Sequence, residues 1–300
     1  MKLVTLFLVL FSITHCDVYA QDTKPLKKQL SAAKEDTTRI RLLNNIADIY
    51  YNNYEYDSCK EYATQALNLS IRLENNISAN KNADYALLCK KLKAKSIENY
   101  GSSIMYENSN ASVDSVEIAA KYWNETGDKK GIASVYQRLG EVYTNQNNFT
   151  NALKYYNLSI NLFKGLGNEA AVAFLYYDIS LTQRYMANYG DALESGILSL
   201  EMFKKTKDTL LIIQCLLANG FTYMLAKDYK EALKTQQAGL NMAIAFKDSE
   251  YIATSYSDMG NTHKRSGNLS AALNDYTTAF NIRKKLNSSF YLSSNLLYIA

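Results

Sequence analysis

Three hundred residues with 47% apolar side chains, but only one proline and twelve glycines, lack the frequent Gly/Pro turns that a sandwich, barrel or doubly wound sheet needs. Pro25 is that single proline, so the rest of the chain is free of the strongest helix breaker and an all-α body is expected. The 33 basic and 29 acidic residues leave a net charge of +4 spread along the chain, too balanced to imply nucleic-acid or membrane binding by charge.

Residues 1–20 read as a cleavable export signal. Lys2 precedes an apolar run from Leu3 to Ile13, and Val18-Tyr19-Ala20 places small residues three and one before a cut at Gln21. The run is too short to anchor in a bilayer. Cys16 would be a lipidation site only with a small residue before it, and His15 stands there. After cleavage Cys59, Cys89 and Cys215 remain, an odd set without C-x-x-C spacing, which fits small buried helix residues; one bridge, such as Cys59 to Cys89, stays open.

Residues 21–35 form a polar lead-in, and 36–76 a first helical unit with Ala47, Tyr50, Cys59 and Ala63 at repeating small and aromatic positions. Residues 77–127 form an irregular unit with an insertion. Its small position is taken by Tyr100 with Gly101 beside it, and Asn108 to Ser112 suggest a longer loop before a helix over Val113–Trp123. Lys90, Lys91, Lys93 and Lys95 suggest a solvated helix face.

Four regular units of 40 residues fill 128–287, the last from about 248. Asn148, Asn188, Asp228 and Asn268 share one column; Ala152, Ala192, Ala232 and Ala272 share another; Gly140, Ser180, Gly220 and Gly260 share a third. Apolar spacing such as Leu153, Tyr156, Ile160 and Phe163 is helical, so each unit holds two helices of roughly four turns. The Asn/Asp column falls where the second helix needs an N-cap, and Gly127-Asp128, Gly167-Asn168, Lys207-Asp208 and Lys247-Asp248 break one unit from the next. Small residues at 140 and 152 let the paired helices approach closely. Residues 288–300 begin another unit whose register puts Ala300 in the small position, so the natural product is expected to continue.

No residue of these units is assigned to catalysis, metal or cofactor, and the chain is not expected to be an enzyme. Gly165-Leu166-Gly167-Asn168-Glu169-Ala170 matches a dinucleotide fingerprint in letters only, because it joins two helices where the fingerprint needs a strand first. His15 falls in the leader, which leaves His263, in a column otherwise held by Tyr143 and Tyr223, as the only imidazole, too little for a triad or a His-based metal site.

Gly140, Tyr143, Ala152 and Tyr156 carry the pattern of the tetratricopeptide repeat, which this chain resembles in a long, 40-residue variant over about residues 36–300. The resemblance implies a right-handed α-solenoid of helical hairpins whose first helices line a concave groove. Carried over residue by residue, the groove is polar at Ser134, Gln137, Glu141, Thr144 and Asn145. It is apolar at Phe174, Tyr177, Leu181, Arg184 and Tyr185, and at Gln214, Leu217, Phe221, Met224 and Leu225; it returns to polar at Thr254, Ser257, Asn261, Lys264 and Arg265. An apolar patch with polar flanks suits a peptide or partner protein, while a tighter winding would bury the same side chains in the protein's own interior.

The resemblance extends to the periplasmic sensor regions of bacterial envelope signalling proteins, such as sensor histidine kinases or cyclases. It implies an exported protein- or peptide-binding module that contacts the membrane only through a segment beyond residue 300. A free-standing periplasmic scaffold and a surface nutrient-binding lipoprotein are the alternatives, with no nucleic-acid partner in any of them.

Overall fold

The computed structural model describes residues 22–34, 36–76 and 83–286. The expected export signal at 1–20 and the expected further unit at 288–300 lie outside them. Among the described residues there are thirteen α-helices and no strand, and they divide into two compact units, one ending at Asn168 and one starting at Glu169.

The N-terminal unit opens with a short α1 (Lys24–Ala32), whose second residue is Pro25, tolerated there because the first-turn amide has no intrahelical partner. Three antiparallel hairpins follow: α2 (Thr37–Asn52) with α3 (Tyr56–Asn75), α4 (Ala83–Ser103) with α5 (Ser109–Thr126), and α6 (Lys129–Asn145) with α7 (Phe149–Gly165). Asp36, Asn108, Asp128 and Asn148 cap four of these helices by accepting from backbone amides of the first turn. The cap at Asn108 corrects the longer loop expected there: Ser109–Ser112 are already the first turn of α5, because the Asn108 side chain takes up the Ala111 amide at 3.1 Å.

Hairpin packing explains the small column. A Cβ on Gly140 would stand 2.4 Å from the buried Tyr156 ring, so the glycine is what lets α6 and α7 touch. In the irregular unit Gly101, not Tyr100, takes this place, since its Cβ would meet Val116 at 2.8 Å. Ile40, Leu43, Ile46, Cys59, Ala63 and Val116 centre one continuous core running through the three hairpins.

The C-terminal unit has three more hairpins: α8 (Glu169–Tyr185) with α9 (Tyr189–Thr206), α10 (Thr209–Leu225) with α11 (Tyr229–Phe246), and α12 (Ser249–Arg265) with α13 (Leu269–Lys285). Each helix runs 17 or 18 residues, closer to five turns than four. Asp208, Asp228, Asp248 and Asn268 cap by side-chain acceptance, whereas Asn188 sits at the cap position and turns its amide to Asp191 at 2.6 Å.

Gly220 and Gly260 pack under Gln236 and Tyr276 as Gly140 does under Tyr156, but α8 and α9 invert the pair. Ser180 holds the small position, and Gly196 stands where the other hairpins carry the large residue. Asn219 of the next hairpin fills that gap, with Oδ1 only 2.0 Å from where a Gly196 Cβ would be. Twelve of the 17 residues of α10 are buried, and it packs against α9, α11 and α12. A helix apolar on every side is interior rather than amphipathic. Cys59, Cys89 and Cys215 are buried thiols, not half-cystines, which closes the bridge left open above.

Candidate partner-binding faces

In the N-terminal unit, the first helices α2, α4 and α6 lie beside one another and carry a charge network. Glu98 on α4 is fully buried. Its carboxylate accepts from Trp123 Nε1 at 2.9 Å, Ser134 Oγ at 3.1 Å and Lys95 Nζ at 2.8 Å, and Lys95 also reaches Asp48 at 2.9 Å. Burial pulls the Lys95 ammonium down, but Asp48 and Glu98 outweigh it and hold the group above the ordinary lysine value.

One turn further along, Tyr51 donates to Glu141 Oε2 at 2.6 Å while Arg138 Nη1 reaches the same oxygen at 3.0 Å. The Arg138 guanidinium carbon stands 3.7 Å from the Tyr51 ring centroid, so cation and ring share one carboxylate. Burial, then the Glu141 charge, raises the Tyr51 hydroxyl well above the usual tyrosine range. Such a face satisfies its own charges internally.

The face of the C-terminal unit is built differently. Buried Arg184 on α8 places its guanidinium carbon 5.3 Å from the Phe221 ring centroid and 6.0 Å from that of Tyr185, and donates to the Ala218 carbonyl at 3.4 Å. Burial lowers its pKa, opposed by Tyr185, Tyr177 and Asp258. Half-buried Asp258 on α12 is pushed up to about 7 by burial, with Arg283 and Arg184 pulling it back. Arg283, buried on α13, pairs with Glu250 at 2.9 Å and donates to Ser257 and Thr254, each at 3.0 Å.

The expected groove residues fall into three groups. Phe174, Tyr185, Lys264 and Arg265 are exposed; Tyr177 and Leu181 are half-buried; Arg184, Leu217, Phe221 and Met224 are buried. Burial makes Leu217, Phe221 and Met224 packing residues rather than open groove lining: all three belong to α10, and Phe221 and Met224 cluster with Ala232 of α11. Arg184 is brought together with Phe221 and Tyr185, whereas Phe174 meets Phe203 of α9 edge to face at 5.0 Å. His263 bonds to the buried Asp275 through Nδ1 at 2.7 Å.

Sequence reasoning missed Asp48, Lys95, Glu98 and Arg138. The available signals were the (i, i+3) pairs Lys95–Glu98 and Arg138–Glu141. The expectation of a solvated lysine face is corrected for Lys93 and Lys95, which are drawn in to pair with Glu74 and Asp48, while Lys90 and Lys91 stay partly exposed and pair with Glu125 and Asp128.

Among the described residues no group of three His, Cys, Asp or Glu is placed to hold a metal ion, and no helix is long and apolar enough to cross a membrane. A family model described as tetratricopeptide repeat matches residues 131–205 and 212–285, and a second of the same description matches 40–70. No curated protein shows a significant sequence match.

Among solved structures, BtubC (BKLC) from P. vanneervenii aligns at a TM-score of 0.63 and 15% identity, over 76% of this chain and 91% of its own. A signal transduction ATPase with a tetratricopeptide repeat sensor from Pyrococcus horikoshii aligns at 0.62 and 14% identity, over 92% of this chain and 41% of its own. A Rap protein complexed with Competence and Sporulation Factor aligns at 0.57 and 12% identity, over 87% of this chain and 80% of its own. At these identities the likeness is one of fold.

Proposed function

The chain belongs to the tetratricopeptide repeat family, and from that premise we propose that it is an exported sensor module that binds a peptide or protein partner on the first-helix face of its C-terminal unit. One observation carries the partner reading. On α8, Phe174 and Tyr185 stay 40% and 36% exposed while Arg184, next to Tyr185, is buried against Phe221. Exposed aromatics beside a fixed arginine are the side chains that dominate binding energy at protein interfaces.

The N-terminal face, whose charges satisfy one another, offers a partner less. The sensor reading draws support from the Pyrococcus horikoshii relative, whose repeats are described as a sensor, and from the Rap protein held with its factor. The export reading draws support from the apolar run Leu3–Ile13 ahead of Val18-Tyr19-Ala20. The role is that of a binding module, with no catalytic step assigned.

Panning a displayed peptide library on the mature chain tests the reading. Enriched peptides should lose about tenfold or more in affinity with Tyr185→Ser, and with Phe174→Leu, which keeps apolar contact with Phe203, while both variants stay folded. Peptides that bind both variants as tightly as wild type would move the partner off this face. N-terminal sequencing of the exported form should begin at Gln21.

A further inference from the structure

The turn between α2 and α3, together with the end of α4 and the loop after it, lines a solvent-open cleft of about 480 Å³. Three tyrosines, Tyr54, Tyr56 and Tyr106, and three carboxylates, Glu55, Asp57 and Glu107, line it, and the remaining lining is serine. The Tyr56 ring lies 5.0 Å from Tyr106, tilted by 60°, and 6.3 Å from Tyr54, nearly perpendicular at 85°. Three rings inclined in this way form walls rather than a flat stack.

Two features of this turn shape the site. Tyr54 takes φ 61°, in the left-handed region that disfavours a bulky side chain, at the turn position held elsewhere by Asn147, Ala187, Lys227 and Gly267. Glu55 stands at the N-cap of α3 but makes no side-chain cap, like Asn188 and unlike Asn148, Asp228 and Asn268 in their hairpins. The turn thus presents the Glu55 carboxylate without a capping role, beside the Tyr54 ring. The chain already seats one ammonium at the rim, where Lys60 Nζ meets Glu107 Oε2 at 2.5 Å.

We propose that this cleft binds an alkylammonium group, its charge against the Tyr54, Tyr56 and Tyr106 rings and balanced by Glu55 and Asp57, since Glu107 is already paired with Lys60. Ring quadrupoles and carboxylates attract the same charge, and the tyrosine walls exclude part of its water. The site lies wholly in the N-terminal unit and does not rest on the partner-binding reading above. The group can come from a free quaternary amine or from a lysine side chain of a peptide.

Calorimetric titration of the mature chain with choline, with a lysine-bearing tripeptide and with neutral 3,3-dimethylbutanol tests the proposal. Saturable binding of either cation near the millimolar range, without binding of the alcohol, is the expected result. Tighter choline identifies a small amine, and a tighter tripeptide identifies a peptide side chain. Tyr106 is 55% exposed, so Tyr106→Leu should fold as wild type and bind about tenfold more weakly, and Glu55→Gln should weaken binding as well. No saturation by either cation, equal binding of the alcohol, or unchanged affinity in both variants overturns the proposal.

Discussion

Arg283 donates from Nη2 to Thr254 Oγ1 at 3.0 Å, in the place where two repeats earlier Phe203 meets Phe174 edge to face at 5.0 Å. One column of the repeat thus passes from an aromatic pair to a buried ion cluster, with Glu250 at 2.9 Å balancing the charge. Breaking a buried pair from one side leaves a charge uncompensated. Arg283→Ala should therefore destabilise the chain by about 3 kcal/mol. The double variant with Glu250→Gln should cost less than the sum of the single changes by about 1–3 kcal/mol, read from urea unfolding. Strict additivity would show that the pair is not coupled.

Gly140 and Gly165 make a paired test of close helix approach. A methyl at Gly140 would meet the Tyr156 ring at 2.4 Å, whereas one at Gly165 meets nothing within 4 Å. Gly140→Ala should lose about 1–3 kcal/mol despite its better helix propensity, and Gly165→Ala should gain up to about 1 kcal/mol. Equal effects in chemical denaturation would remove the packing explanation.

Asp258 gives the C-terminal unit a pH signature. Burial raises its folded pKa to about 7, above the unfolded carboxylate value, so the folded chain holds this proton more tightly. The stability linked to it is fully present below about pH 4 and is lost as pH rises through 7. Relative to wild type, Asp258→Asn should gain stability from pH 5 to pH 8, measured by denaturant midpoints. A gap that stays constant across that range would place the carboxyl in an ordinary environment.

Glu98 holds three donors at once, and its partner Trp123 is the only tryptophan of the chain. Glu98→Ala should cost about 3–5 kcal/mol, with Glu98→Gln intermediate because an amide oxygen still accepts from the indole. Unfolding followed by Trp123 emission reports this directly. A neutral Glu98→Ala change would mean that water replaces the carboxylate.

What the sequence made legible was what the backbone demands at fixed intervals. Asn148, Asp228 and Asn268 had to cap helices, and Gly140 and Gly260 had to yield space, so their columns recur and can be read. Depth was not legible in the same way. Phe221 and Phe174 both fit a first-helix face, yet one is 8% exposed and the other 40%, because what covers a side chain is set by its spatial neighbours rather than by its spacing. Arg283 was hidden by composition: followed by Lys284 and Lys285, it reads as a basic helix end until its partners on α12 are seen. Lys95 was hidden in the same way among solvated-looking lysines. The cleft at Tyr54 was invisible because it joins residues from two hairpins across an irregular unit.

The burial of the thiols turns them into clocks. Burial raises Cys59 to about 12 and Cys215 to about 11, and the thiolate is the reacting species, so an alkylating reagent finds almost nothing to attack in the closed chain. Modification must then wait for opening. Cys59 and Cys89 time the loosening of the N-terminal unit and Cys215 that of the C-terminal unit, so one labelling course followed by peptide mapping ranks the two units by how often each breathes.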